Sequence, residues 1–398
     1  MNRMWTRIAA LAGVLAPSLA TATLLIDDGG MHSINSPTPQ SVRVSQGSEV
    51  HIGTGAVISG DGSNRLFSPS TTNGAIAVEV PSNSTIRISG NAQVSSGSEL
   101  NAIARTLAGN LFIAGSSIIN GNVYGVGFND YSSLRTFISG DSRINGHLDT
   151  DGLVSISDNA LITGHLFEAN GGIALRMDGG EILGNVRSGS LVSHSAIIQG
   201  GTIHGSYGGN ASDIDFSMHG GELAGRWGVN SFNQQVNIFG GQLAGGMEFG
   251  GIADDYARDS RVSIFGGAID AMSGDYLFDF NYGFDDATYS ASNCGANTSS
   301  FDIWGGQLGY ASAGLGLHLD YCATIDVYGR NLNYSGGWLT GQLADGSMIN
   351  LAVNEESRWG GSLRLHDVSV PEPGTLGLLG MALGAMAMAR RRRVKDCA

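Results

Sequence analysis

The chain repeats itself most legibly in its middle third: MDGGEILGNV from Met177, IQGGTIHGSY from Ile198, MHGGELAGRW from Met218, IFGGQLAGGM from Ile238, IFGGAID from Ile264 and IWGGQLGY from Ile303. Each copy ends an alternating apolar run, as in Ile173, Leu175, Met177, or Phe216, Met218, or Val236, Ile238. Alternation at period two is the mark of a strand with one buried face. The Gly pair that follows permits a tight bend with positive φ. The next apolar residue (Ile182, Ile203, Leu223, Leu243) then opens a second short strand.

Working outward, weaker copies begin at Ile58, Ile88, Ile113, Ile138, Ile156 and Val327. From Ile58 to Val327 the anchors are 30, 25, 25, 18, 21, 21, 20, 20, 26, 39 and 24 residues apart. Self-similarity near this period marks a solenoid. Two or three short strands per turn make it a single-stranded parallel β-helix, all-β, in which each coil pairs with the coils ~4.8 Å above and below it. Twelve coils predict a rod of roughly 55 Å. The LxxLxL spacing of leucine-rich repeats is missing.

No Pro occurs from Ser82 to Val370, so residues 56–334 read as one continuous repeat domain. Residues 23–55, with Pro37 and Pro39, read as an N-terminal cap that shields the first coil from edge pairing. Residues 335–370 alternate as strands around a turn at Asp345-Gly346 and read as a C-terminal β cap. The 39-residue interval holds an aromatic, acidic excursion, DYLFDFNYGFDDATYSASNCGANTSS.

Composition agrees and excludes other classes. The 398 residues include 62 Gly without a triplet period, which excludes collagen, and 42% apolar residues, which exclude general disorder. Net charge is −14. Setting aside Arg3, Arg7, Arg390 to Arg393, Lys395, Glu372 and Asp396 leaves 14 basic against 33 acidic residues, a body near −19 without a single Lys. Such a body repels phosphate, so nucleic acid is excluded as a partner.

Both ends read as export machinery. Residues 1–22 have the parts of a signal peptide: Arg3 and Arg7, the apolar run Ile8 to Ala16, and the small-x-small site Ala20-Thr21-Ala22. At the other end Thr375 to Ala389 is an apolar run of 15 residues followed by Arg390, Arg391, Arg392 and Arg393. With snorkelling Arg stems it approaches a transmembrane span, its Arg cluster held in the cytoplasm, and 394–398 form a cytoplasmic tail. Both charge signals put the body outside the inner membrane.

Pro371-Glu372-Pro373, the Gly/Leu/Met/Ala stretch and the Arg cluster, at 371–393, together resemble the PEP-CTERM sorting signal of Gram-negative bacteria. Residues Val394 to Ala398 after the cluster depart from that pattern. The resemblance implies handling by exosortase, an integral-membrane cysteine peptidase, a transient inner-membrane anchor and delivery to the cell surface or beyond. It also implies association with exopolysaccharide or biofilm. The repeat body itself is similar to Gly-rich autotransporter passengers.

Residues that carry chemistry are sparse. Cys294 and Cys322, the only cysteines of the exported body, form an even pair in an oxidising compartment and are disulfide candidates. No CxxC and no His at ligand spacing points to a metal. His147 and His165 recur at equivalent points of adjacent coils, and His204 and His219 fall near turns. Recurrence in register predicts a stacked surface ladder, whereas a catalytic His should be singular. The pairs Asp254-Asp255 and Asp285-Asp286 do not form a hydrolytic dyad, because adjacent strand residues face opposite ways. They read as loop charges, with weak Ca²⁺ binding the alternative.

The sequence therefore predicts an exported, non-enzymatic β-solenoid with no cofactor and no catalytic residues. A polysaccharide-active β-helix hydrolase or lyase is the competing class. The two differ in one respect: an enzyme gathers acids and aromatics on one face of consecutive coils, and a structural rod spreads them.

Overall fold

A computed structural model describes residues 24–38, 42–44, 46–59, 78–80, 84–95, 102–106, 109–125, 134–150, 152–167, 173–188, 193–211, 213–231, 234–249, 260–271, 276–279, 300–309, 316–319, 324–355 and 362–368. They form strands, turns and bends only, and the strands pair as the rungs of a β-solenoid. The chain divides into two compact units, Met1–Ala174 with Gly180–Gly184, and Leu175–Gly179 with Asn185–Ala398. The stretch 56–334 expected as one domain falls across both.

In the first unit each turn carries three short strands. On one face Met31–Ile34, Glu49–Ile52, Ser84–Ile88, Gly109–Ile113, Leu134–Ile138 and Gly152–Ile156 pair in parallel, rung on rung. Their register stacks Ile34, Ile52, Ile88, Ile113, Ile138 and Ile156 in one buried column. A second face stacks Ile58, Val94, Ile119, Ile144, Ile162 and Ile182. The third runs from Leu24–Ile26 through Val42–Val44 and onward to Leu166–Phe167.

This register corrects one anchor. Ile58 belongs to the second face, and the anchor of its turn is Ile52, 36 residues before Ile88. The Gly53-Thr54-Gly55 bend is that turn's version of the Gly pair, with an extra residue between the glycines. Parallel rungs thus begin inside the segment read as a cap: Leu24↔Val42, Met31↔Glu49 and the bridge Thr38↔Ile58 have the pairing of the repeats themselves.

The second unit repeats the plan with a heavier interior. Ile198, Met218, Ile238, Ile264, Ile303, Val327 and Leu365 stack as its anchor column. All but Leu365 are buried, as is Met177 of the same unit. Ile203, Leu223, Leu243, Ile269 and Leu308 line the second face. The third buries Val186, Tyr207, Trp227, Met247, Phe278 and Leu317, with Tyr207 and Trp227 stacked at 4.8 Å. Burial of such apolar side chains contributes about 1.5–3 kcal/mol each, which is why stacked rungs without a globular core hold together.

The Gly pair does what its chemistry suggests. Gly221 and Gly241 have φ of +78° and +89°, and a Cβ on either would lie 2.6 or 2.8 Å from the carbonyl oxygen of the equivalent Gly one rung earlier. Only Gly combines that conformation with that approach.

At the end of the second unit the pairing changes sense. Thr324–Ser335 pairs antiparallel with Trp338–Leu343, and that strand with Met348–Glu355. Asp345-Gly346 lies in the turn between the last two, with Gly346 at φ +95°. The Asp345 carboxylate accepts hydrogen bonds from the N–H groups of Ser347 (2.9 Å) and Gly306 (2.7 Å), tying the turn to the Ile303 rung. Ser362–Asp367 then returns to parallel pairing on Thr324–Ser335. Among the described residues no helix is long and apolar enough to cross a membrane. The expected signal peptide and the apolar run at 375–389 lie outside the described residues.

Candidate functional site

Alternation points the residues on either side of each buried anchor outward. In the second unit the residue after the anchor is His219, Phe239, Phe265, Trp304, Tyr328 and His366 on successive rungs. Parallel strands ~4.8 Å apart bring such rings face to face. His219 stacks on Phe239 at 4.7 Å between centroids, Phe239 on Phe265 at 5.0 Å, Trp304 on Tyr328 at 3.7 Å and Tyr328 on His366 at 4.5 Å. The ladder covers ring faces and leaves edges to solvent, with Phe239 46% and Phe265 41% exposed.

The residue before the anchor gives a second outward row, in which Ser263, Asp302, Asp326 and Arg364 are in register. Two aspartates on neighbouring rungs repel unless they are compensated. Here they are. Arg261 Nε lies 3.6 Å from Asp302, the Tyr328 hydroxyl donates to Asp302 at 3.4 Å, and His366 Nε2 is 2.6 Å from Asp326. Burial lifts the Asp302 carboxyl above its ordinary value, and the Asp326 charge adds to this against the pull of Arg261. Burial, then the two carboxylates, likewise raise the Tyr328 hydroxyl.

Acids, cations and aromatics therefore gather on one face of four consecutive rungs, from Arg261 to His366. Asp302 and Asp326 are in register on neighbouring strands, so the two carboxylates issue from adjacent rungs of this face.

The first unit has its own ladders. His147 and His165 stack at 5.0 Å and 5°, as their recurrence predicted, and the backbone N–H of His165 donates to His147 Nδ1 at 2.8 Å. His147 is thereby held as an acceptor at Nδ1. Burial and the neighbouring His165 lower its pKa, which favours the neutral ring. Phe112 and Phe137 stack at 4.8 Å, with the Arg87 guanidinium 4.1 Å from the Phe112 centroid and Arg87 Nε 2.5 Å from Glu49.

Among the sequence candidates, His204 is exposed and His219 heads the aromatic ladder. Cys294 and Cys322, Asp254 and Asp255, Asp285 and Asp286, and the sorting residues Pro371, Glu372, Pro373 and Arg390 to Arg393 lie outside the described residues. Among the described residues no group of three or more His, Cys, Asp or Glu is placed to hold a metal ion.

Some polar residues escaped the sequence reading. Asp302 and Asp326 sit at one offset from Ile303 and Val327, a signal that the Gly pairs overshadowed. His194 is buried, four residues before Ile198 and so on the inward parity, and hydrogen-bonds Tyr207. Its position in SHSAIIQGG already carried that information.

The last described strand ends at Asp367, and the segment that follows is the one the comparisons identify. Residues 369–393 match the family model of the PEP-CTERM protein-sorting motif. No curated protein and no solved structure matches the chain. The chain thus carries a sorting motif that implies export, transient membrane anchoring and processing by exosortase, joined to a β-solenoid.

Proposed function

We propose that this protein is a non-enzymatic cell-surface or matrix β-solenoid that associates with exopolysaccharide after exosortase has released it. One observation supports the non-enzymatic part: on the face from Arg261 to His366 the side chains able to do chemistry are engaged with each other. The rings stack on rings, Asp302 is held by Arg261 and Tyr328, and Asp326 by His366. A catalytic group needs to be in reach of the reacting bond with its proton free to move. For the glycan part the support is the sorting motif and the polar Ser and Asn ladders, such as Asn145 donating to Asn120 at 2.7 Å.

The gathering of Arg261, Asp302, Asp326, Tyr328 and His366 on adjacent rungs favours the second reading, a polysaccharide-active enzyme. Incubating the mature protein with a panel of purified polysaccharides, including that of the producing strain, separates the two. The proposal expects co-sedimentation with polysaccharide and no new reducing ends or unsaturated products. Cleavage that Asp302→Asn or Asp326→Asn abolishes would establish the enzyme instead.

A further inference from the structure

A β-solenoid hides its strand edges everywhere except at its two ends, and here both ends are open among the described residues. Met31–Ile34 pairs only with the rung after it, and Ser362–Asp367 only with the rung before it. The hydrogen-bond rule between rungs is uniform: the carbonyl of each anchor accepts from the N–H that follows the next anchor. Ser89 N–H donates to Ile52, Ala114 to Ile88 and Ser139 to Ile113 in one unit, and Phe239 to Met218, Phe265 to Ile238 and Trp304 to Ile264 in the other.

By that rule the Leu365 carbonyl lacks its donor and the Asn35 N–H its acceptor among the described residues. Leu365 is also the anchor left uncovered, 38% exposed where Ile198 to Val327 are at most 2% exposed. Ile34 occupies the same place in the first rung.

We infer that these edges are made for each other in two copies of the mature chain, the Ser362–Asp367 edge of one receiving the Met31–Ile34 edge of the next. In that register Ile34 covers Leu365, Ser33 lies beside Arg364 and Asn35 beside His366, so no like charges meet. Asn35 N–H donates to Leu365 C=O as at every rung before it. The contact is head-to-tail, so each joined copy still offers an edge to a further copy. What adjoins the two edges argues for a second copy as the occupant. The expected leader, 1–22, ends just before Leu24, and the sorting motif begins at 369, just after Val368. The segments next to the edges are the two that the expected processing removes, so the mature chain is the copy that can assemble.

The test uses mature protein, processed at both ends and free of glycan, so its outcome is independent of exopolysaccharide binding. Sedimentation velocity over a concentration series should give a growing ladder of oligomers. Leu365→Arg should weaken association at least tenfold. Added substoichiometrically to wild type it should shorten the oligomers, because it joins a growing end and cannot be extended. Since Leu365→Arg could also harm folding, a second variant probes the register through exposed positions. Ser33→Cys with Arg364→Cys should yield a ladder of reducible multimers on oxidation, and either substitution alone should give none beyond a dimer. Monomeric wild type throughout the series, or no multimer ladder from the double variant, overturns the inference.

Discussion

The solenoid makes a demanding claim about Gly245. In the second unit Gly205, Gly225 and Gly245 follow one another up the rungs so closely that a Cβ on Gly245 would lie 2.5 Å from both the Gly225 oxygen and the Arg226 nitrogen. Gly245 has no positive φ, so Gly245→Ala tests the approach of backbones and nothing else. The obstructing atoms are main chain and cannot swing aside. The cost therefore falls in the upper part of the overpacking range, about 2–3 kcal/mol. For a unit of this size, where ~1 kcal/mol moves Tm by about 2–4 °C, that is a fall of roughly 4–12 °C. Gly228→Ala is the control, since a Cβ there meets nothing within 4 Å. It should change stability by no more than about 0.5 kcal/mol. Calorimetry or thermal circular dichroism on both variants decides. A Gly245→Ala protein that melts with wild type, or a Gly228→Ala protein that is equally damaged, would refute the stacking register.

Other parts of the molecule give further tests. Phe239→Ser removes a ring stacked on both His219 and Phe265; at ~0.5–1.5 kcal/mol per aromatic pair it should cost about 1–3 kcal/mol by denaturant melting, and unchanged stability would show that the exposed ladder is not structural. For Asp302 the folded carboxyl titrates above its unfolded value, so the folded state holds the extra proton. Stability from this group is full below the ordinary aspartate range and is lost as pH rises through the folded value. Asp302→Asn should therefore be more stable than wild type at pH 7 relative to pH 4, and the opposite ordering contradicts the shift. Cys294 and Cys322, if bridged in the exported protein, should both resist alkylation before reduction and react after it.

Much of this was legible in the sequence because the fold imposes two short-range rules. Alternation fixed which residues face inward, and the Gly pairs marked the bend, so Ile138 and Ile156, and Ile198, Met218, Ile238 and Ile264, stack in register within their units. Ile58 misled because a solenoid turn has several inward apolar positions, and local pattern alone does not say which face one occupies. The early rungs at Leu24–Ile26 and Met31–Ile34 were hidden by their divergence from the Gly-pair consensus. The Arg261 to His366 face was harder still. Its members come together only after the unequal sequence intervals between Ile264, Ile303 and Val327 are allowed for, and that requires the register itself.

The same geometry explains the side-chain ladders. A repeat ~4.8 Å high brings like side chains into contact on successive rungs, so duplication produces ladders of His, Phe, Asn and Asp. Ladders satisfy their members mutually, which stabilises the solenoid.

The C-terminal motif implies that this solenoid is exported and sorted by exosortase. Pro371-Glu372-Pro373 would sit where an apolar run ending in Arg390 to Arg393 stops transfer, with two Pro keeping the backbone extended for a peptidase. Intact-mass measurement of the surface-associated protein, from a host that has the exosortase, tests this most directly. The processed chain should lack the segment from about Thr375 onward; recovery of the full C-terminus through Arg393 would show that the motif is not cut.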